Sequence, residues 1–355
     1  MKFRVITAVP LILTALLSVQ AASSSPAPSA QVGPDLRYGG PAFADVARTS
    51  YRTVGLQGTF EDWLAGAYKG AGVKLGAGDT LTAALDARAA ELRAAKGDAR
   101  VQLERDTASW AHRFVKKAVP KFSLERGYEL ANVAGSGQRQ CLAQSFIIAG
   151  LLQRAGMQAG AVMVWANPQG QQSNLGHVVA TVRLSSGQDL LVDASDPTPF
   201  VHHQGLLVRT AQGYRFVKPT YAADDTIGRY TLSGTGGTLA VKDAAPLSLT
   251  YLQSQFDYYR GERARGGFMG TGVGRATPDG LKQSALYLTR AVQEDPQNAL
   301  AVYVLGHVLE RQGLAAQARS DYLKANALYT AQGHVPSGMQ TVMAAMKKQA
   351  GGSGS

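Results

Sequence analysis

The chain is poor in cysteine, in charged residues and in long apolar runs. Cys141 is the single cysteine among 355 residues, which leaves no second thiol for a disulfide within the chain. Charged residues make up 17% and hydrophobic residues 45%, which is typical of a globular protein rather than a disordered one. No apolar run reaches the roughly twenty residues that a membrane-spanning helix needs. The motifs G-x-S-x-G and S-x-x-K are also missing, so a serine nucleophile has no support.

The first residues predict an export signal. The basic start MKFR is followed by an apolar run of about fifteen residues, Val5 to Val19, and then by small residues. We interpret 1–21 as a signal peptide cleaved after Ala21, with an uncleaved anchor as the alternative. The residue directly after the cut site is Ala22 rather than cysteine, which argues against a lipoprotein anchor. A secreted or periplasmic, cell-envelope location is expected, with no transmembrane segment after cleavage.

The excess of basic residues is only weak evidence for a binding partner. The net charge of +11 favours contact with anionic surfaces. However, Lys and Arg are dispersed, and no basic stripe interleaved with aromatic residues occurs. We therefore interpret the charge as a solvated basic surface and expect no nucleic-acid partner.

Hydrophobic periodicity predicts helices first and strands second, which indicates an α+β domain. Strand-like segments with a period of two begin near Val162 and end near Lys242, and Leu247 to Arg260 reads as one more helix. The predicted organisation is a Pro/Ser/Ala-rich linker at 22–40, an N-terminal helical region at 41–121, a core at 122–242, a helix and Gly-rich linker at 243–279, helical repeats at 280–349 and a disordered tail at 350–355.

The C-terminal part contains a repeat of about 34 residues that resembles the tetratricopeptide repeat. Small and large positions recur at this spacing: Ser284, Leu288 and Ala291 are followed by Ala318, Tyr322 and Ala325. Gly306 lies in the helix between the two sets, where a small residue permits close packing. An array this short cannot bury a continuous core alone, so it should dock on the preceding domain and offer a surface to a protein partner.

The position of Cys141 favours a nucleophile. The turn Gly135 to Gly137 precedes an apolar helical segment, so the cysteine lies in the first turn of a buried helix. Free backbone N–H groups and the helix dipole at that end stabilise a thiolate. The alternative is that Cys141 is a small buried hydrophobe of the core.

A base and an orienting acceptor follow on two predicted strands. The turn Ser185 to Gly187 fits a three-residue hairpin loop that pairs Leu184 with Gln188. In that register His177 and Asp193 project from the same face as near-diagonal neighbours. A two-residue turn would bring Asp196 to that face instead. We favour Asp193.

These segments resemble a known enzyme family. The run QCLAQSFIIAGLLQRAGMQAGAVMVW, then NLGHVVATVRL and LLVDASDP, is similar to the transglutaminase-like branch of the papain-like thiol enzymes. The resemblance spans about 122–197 and implies a helix packed on an antiparallel sheet. It also implies a catalytic triad of Cys141, His177 and Asp193. Arg139 and Val179 depart from the family, which commonly has glycine and an aromatic residue there.

The resemblance further implies acyl transfer through a thioester on a protein or peptide amide, with no cofactor. Hydrolysis, as in a cysteine peptidase or amidase, is favoured over crosslinking. The oxyanion would be held by the Cys141 backbone N–H and a glutamine. Gln140 is the family-like candidate, and Gln138 and Gln144 remain alternatives. A different class of function is a catalytically lapsed scaffold that binds proteins through its repeats.

The remaining histidines are expected to be structural. His202 and His203 are adjacent but have no carboxylate or second cysteine at ligand spacing, so we predict packing rather than a metal site. His112 falls on a helix and His307 inside the repeat. No metal is expected.

Overall fold

A computed structural model describes residues 33–352 of the protein. Six helices lead into an antiparallel sheet, and further helices complete the chain. This confirms a mixed α+β class with an antiparallel sheet and C-terminal helices. The predicted signal peptide at 1–21 and most of the predicted linker at 22–40 lie outside the described residues. No helix among residues 33–352 combines the length and the apolar character needed to cross a membrane.

The N-terminal half is mainly helical and ends at the helix that carries the cysteine. Its helices are α1 (Pro41–Val54), α2 (Phe60–Ala71), α3 (Leu81–Ala94), α4 (Gly97–Ala118), α5 (Leu130–Ser136) and α6 (Cys141–Arg154). Two short strands, β1 (Lys121–Phe122) and β2 (Gln138–Arg139), pair in parallel. Thr59 and Thr80 cap α2 and α3 by accepting a backbone N–H, which is why these helices begin there.

The start of the described chain packs on the core instead of forming a linker. The side chain of Leu36 is fully buried, and its backbone N–H donates to Gln153 Oε1 at 2.6 Å. The backbone N–H of Tyr38 donates to the Gly150 carbonyl at 3.0 Å. The linker prediction is wrong for this part of 22–40, because two large apolar side chains find burial against α6.

The sheet closes on itself. Its strands are β3 (Gln158–Ala166), β4 (Gln172–Arg183), β5 (Asp189–Val192), β6 (Gly205–Thr210), β7 (Gly213–Tyr221), β8 (Ile227–Leu232) and β9 (Thr238–Leu239). They lie in the order β5-β4-β3-β6-β7-β8-β9, and β5 also pairs with β8 through Asp189 and Ile227. Closure was not predicted from the sequence. It encloses a second, smaller apolar cluster that includes Val162, Val179 and Val208.

Strand alternation positions α6 outside the closed sheet. Val162 and Val164 belong to the enclosed cluster, whereas Ala161 and Met163 belong to the main core that contains α6. The β4–β5 hairpin has the predicted register, since the Leu184 N–H donates to the Gln188 carbonyl at 2.8 Å. Gly187 has φ 85°, in the left-handed region that this loop requires. The predicted hairpin is therefore confirmed.

The C-terminal helices are α7 (Leu249–Glu262), α8 (Pro278–Glu294), α9 (Ala299–Arg311), α10 (Ala315–Gln332) and α11 (Ser337–Gly352). Helix α7 is buried along most of its length and packs against α8, so it belongs to the core rather than to a linker at 243–279. The loop between them is hydrogen-bonded: Phe268 N–H donates to Ser284 Oγ at 2.9 Å. Because α11 continues to Gly352, the predicted tail at 350–355 begins too early.

Close packing of α9 on α10 depends on Gly306. A Cβ at Gly306 would lie 2.8 Å from the ring of Tyr322, whereas a Cβ at Gly66 of α2 would meet nothing within 4 Å. Gly306→Ala is expected to lower the free energy of unfolding by about 1–3 kcal/mol through overpacking. Gly66→Ala should raise it by up to about 1 kcal/mol, because alanine favours helix. Urea denaturation of both variants tests this, and equal shifts would contradict the packing argument.

Candidate active site

Cys141 is the first residue of α6. The preceding Gln140 is extended, with φ −140° and ψ 167°, and Gly137 takes φ 63° to end α5 and turn the chain into β2. The apolar residues that follow bury α6 against β3 and β4, so the helix is held rigidly. The thiol therefore lies among the free N–H groups of the first turn, where a thiolate is stabilised. Cys141 is 4% exposed.

His177 lies on β4 between the thiol and a carboxylate. His177 Nε2 is 2.8 Å from Asp193 Oδ2, which leaves Nδ1 as the ring nitrogen available to the thiol. The imidazole and the Cys141 thiol are close enough to shift each other's pKa. Asp193 Oδ1 accepts the Ser195 backbone N–H at 2.8 Å, which fixes the carboxylate. The structure thus brings together Cys141, His177 and Asp193.

Asp196, the alternative third residue, faces elsewhere. Its carboxylate accepts hydrogen bonds from the backbone N–H and hydroxyl of Thr198. Its backbone carbonyl accepts from Lys116 and lies 3.1 Å from His112 Nε2. The three-residue hairpin loop accounts for this difference, because it sets Asp193 rather than Asp196 beside His177.

The three groups shift one another's pKa toward an ion pair. Burial raises the pKa of the Cys141 thiol, but the hydrogen bond and charge of His177 outweigh burial, and the net pKa is lowered. Burial lowers the pKa of His177, yet its bonds to Asp193 and the thiol raise it to about 10. Burial also raises the pKa of Asp193, while hydrogen bonds from His177 and His203 hold it well below its usual range. The lowered pKa of the thiol and the raised pKa of the imidazole both shift the pair toward thiolate and imidazolium.

Arg139 connects the two halves of the site. Its buried guanidinium donates to the carbonyl of Val119 at 2.6 Å, to the carbonyl of Ala194 at 3.3 Å and to Gln144 Oε1 at 3.1 Å. It therefore joins the strand before Cys141 to the loop after Asp193. The Arg139 side chain therefore fills a polar interior between these two segments.

Two of the three candidate oxyanion glutamines remain free to donate. The side chain of Gln144 is engaged, because its Nε2 donates to Ser195 Oγ at 2.6 Å and its Oε1 accepts from Arg139. The side chains of Gln140 and Gln138 have no hydrogen-bond partner among the described residues, and in both the Oε1 atom is buried. Gln140 is adjacent to Cys141 and is 2% exposed, which makes it the better placed donor.

The adjacent histidines 202 and 203 take different partners. His202 stacks on Tyr221 and bonds Asp225 at 2.9 Å. His203 Nε2 lies 3.0 Å from Asp193 Oδ2, the oxygen that also bonds His177. Sequence reasoning treated His203 as packing and missed this contact, since the loop between residues 193 and 203 carries no pattern that fixes its course.

One group of side chains at the candidate site has the spacing of metal ligands. One ligand atom each from His177, Asp193 and His203 lies within 4.8 Å of the others. Both imidazoles are hydrogen-bonded to the same carboxylate oxygen, so the group is satisfied as a hydrogen-bond network. The absence of a resident metal stays a prediction. The two histidines expected to be structural are hydrogen-bonded as well: His112 to the Asp196 carbonyl and His307 Nδ1 to the Tyr322 hydroxyl at 2.8 Å.

A tyrosine from α7 lies against the thiol. The Tyr259 hydroxyl is 3.6 Å from Cys141 Sγ, and its ring stacks on Tyr128 with centroids 5.6 Å apart. A buried bidentate pair between Arg260 and Glu129, at 2.6 and 3.1 Å, holds α7 to the start of α5. Tyr259 follows Cys141 by 118 residues, and no local pattern in the sequence indicates this contact.

Comparison of the chain with protein-family models, with curated proteins and with solved structures finds no match.

Proposed function

We propose that the protein is an exported thiol enzyme of transglutaminase-like fold that acts on protein or peptide amides by acyl transfer. The observation that carries the proposal is the position of His177, which is hydrogen-bonded to the Asp193 carboxylate at 2.8 Å and is close enough to the Cys141 thiol for the two groups to shift each other's pKa. A nucleophile, a base and an orienting acceptor in this arrangement are what thiol catalysis requires. The family resemblance around the three residues supports the same conclusion.

The first half of the reaction forms a thioester. His177 holds the thiol proton as imidazolium, and the Cys141 thiolate attacks the carbonyl carbon of the amide. The Cys141 backbone N–H and the Gln140 amide would donate to the oxygen that becomes negative. The carbon–nitrogen bond then breaks, and His177 gives its proton to the departing amine. Asp193 keeps the imidazole in the tautomer that can accept and return this proton.

Water is the favoured second reactant. His177, now neutral, takes a proton from the attacking water, a carboxylic acid leaves, and the thiol regains its proton. A lysine amine in place of water would give crosslinking. Hydrolysis is favoured because nothing in the described site marks an amine-binding position.

Helices α8 to α11 are proposed to bind a protein partner or the substrate protein. Their small residues allow helix pairs to pack closely, as Gly306 does against Tyr322. The repeat length resembles that of tetratricopeptide arrays, which bind proteins. Helix α7 packs against α8 and α9 and contacts the thiol through Tyr259, so it is the element that joins the repeats to the site.

The formation of a covalent acyl-enzyme tests the enzymatic proposal. Incubation with p-nitrophenyl acetate should release a burst of about one equivalent of p-nitrophenolate and leave an acetyl group on Cys141, identified by mass spectrometry of peptides. Cys141→Ala should show neither, and it is a clean control because the chain has no other thiol. Adding methylamine distinguishes the outcomes of the second half: faster loss of the acetyl group as acetamide would favour transfer over hydrolysis.

A catalytically lapsed binding scaffold is the second candidate. Its support is the burial of Cys141, which is 4% exposed and does not line any of four cavities found in the described residues. A scaffold predicts no burst and no acetyl group on Cys141, together with an alkylation rate no faster than that of an ordinary thiol. Observing both results would refute the enzymatic proposal.

A further inference from the structure

The end of the closed sheet that lies away from the thiol contains a cavity of about 430 Å³, here named the basal cavity. Its lining includes Gln153, Thr181, Arg183, Asp189, Tyr230 and Pro246. Cys141 begins α6 and Gln153 lies twelve residues later, near the other end of the helix. At 1.5 Å per residue the two are roughly 18 Å apart, so the basal cavity is separate from the candidate active site. Its volume is in the range of small-molecule sites.

A buried charge pair forms the polar wall of the basal cavity. Arg183 Nε donates to Asp189 Oδ1 at 2.5 Å, and Tyr230 donates to Asp189 Oδ2 at 2.7 Å. Arg183 Nη2 donates to the carbonyls of Val241 and Ala244 at 2.7 and 2.8 Å. The carboxylate balances the guanidinium, so this wall has no net charge to offer an ion.

Two donors on this wall are unused. The Nη1 group of Arg183 and the hydroxyl of Thr181 have no hydrogen-bond partner among the described residues. Neither atom is among the fully enclosed unpaired atoms of the described chain, so both reach accessible space, and both residues line the basal cavity. They are two residues apart on β4, so they project from the same face about 7 Å apart. Thr181 is only 6% exposed, so its hydroxyl meets this space and little else.

Much of the remaining lining is apolar, and the rim is electrically neutral. Val162, Val208, Ala159 and Pro246 contribute aliphatic surface. At the rim Arg37 pairs with Asp35 at 2.8 Å, so no unpaired charge is placed there either. A ligand would meet both hydrogen-bond donors and hydrocarbon.

We propose that the basal cavity binds a small uncharged molecule that carries a carbonyl-type acceptor on an apolar body. The acceptor would take hydrogen bonds from Arg183 Nη1 and the Thr181 hydroxyl, and the body would lie against Val208 and Pro246. A carboxylate suits the cavity less well, because Asp189 already neutralises Arg183 and would repel a second anion. The site does not depend on thiol chemistry.

The proposal is tested by measuring the binding of hexanamide to the full chain in a ligand-detected NMR titration. Hexanamide should bind, and Thr181→Val should weaken it about tenfold through loss of one hydrogen bond. The hydroxyl has no protein partner, so its removal should leave the thermal unfolding midpoint unchanged. Ala245→Met, which fills the cavity from its lining, should abolish binding, whereas Cys141→Ser should not alter it.

Four results would overturn the proposal. One is failure of hexanamide to bind the wild-type chain. Another is equal affinity for the wild type and for Thr181→Val or Ala245→Met, since binding would then occur elsewhere. The third is tighter binding of hexanoate than of hexanamide, which would show that the ligand class is anionic. A loss of binding in Cys141→Ser would likewise assign the contact to the thiol site.

Discussion

Replacing His177 by alanine is expected to slow alkylation of Cys141 by about three orders of magnitude at pH 5.5. In the native site the imidazolium lowers the pKa of the thiol, so thiolate persists at pH values below the ordinary pKa of a cysteine. Without His177, burial raises the thiol pKa, and only weaker contacts with the Val178 backbone and the Tyr259 hydroxyl lower it. A thiol with an ordinary pKa of about 8.5 has about one thiolate in a thousand at pH 5.5. Intact-mass measurement of iodoacetamide alkylation from pH 5 to pH 10 gives both rate profiles.

In the wild type, the alkylation rate should rise with pH and then level off. Thiolate forms as the pH rises through the lowered pKa of Cys141, so the rate should reach its plateau at a lower pH than for an ordinary thiol. The raised pKa of His177, about 10, keeps the imidazolium charged across neutral pH. Acyl transfer should therefore fall again only as the pH approaches 10.

Replacement of His112 is a matched control that distinguishes the loss of the base, His177, from the loss of a buried histidine in general. His112 is 2% exposed and bonds the Asp196 carbonyl, with no contact to the thiol. His112→Gln should keep the low-pH alkylation rate, with folding of both variants checked by circular dichroism. If the His177→Ala profile coincides with the wild type, the pairing of thiol and imidazole is wrong.

Asp193→Asn is expected to reduce the acylation rate by roughly 10²-fold to 10³-fold. The asparagine amide can donate to His177 Nε2, which would put the ring proton on Nδ1, facing the sulfur. An imidazole in that tautomer cannot accept the thiol proton, and a similar replacement in serine proteases has an effect of about 10⁴. The pKa of His177 should also fall, because the hydrogen bond to Asp193 is the leading cause that raises it. The burst rate with p-nitrophenyl acetate between pH 6 and pH 10 measures both effects.

Asp196→Asn is the control for this prediction. Its carboxylate bonds only Thr198, and the contacts of Lys116 and His112 are with its backbone carbonyl, which the substitution keeps. The acylation rate should stay within about twofold of the wild type. A larger loss in Asp196→Asn than in Asp193→Asn would make Asp196 the third member of the triad.

Much of the candidate site is predictable because it is built from neighbouring elements. The cysteine at the start of a helix follows from a glycine turn and an apolar run. The placement of His177 beside Asp193 follows from one hairpin, whose register is set by the loop that ends in Gly187. Helix and strand identities follow from periodicity, which depends on burial of one face at a time.

Other parts of the site depend on residues far apart in the chain. His203 reaches Asp193 only because an irregular loop returns to it, with the Asp193 N–H donating to the Pro199 carbonyl at 3.1 Å. Tyr259 reaches Cys141 because α7 is fixed to α5 by the pair of Arg260 and Glu129. Neither contact has a spacing or composition signal, since each arises from packing between elements.

The sequence by itself predicted the order of helices and strands, the register of the β4–β5 hairpin and the three candidate residues Cys141, His177 and Asp193. The tertiary structure alone decided that the sheet closes through β5 and β8, that residues 33–40 pack on α6, and that Tyr259 lies over Cys141. The physical reason is the range of the interactions. Propensity, capping and alternation act between residues a few positions apart, whereas closure and burial depend on which distant surfaces fit together.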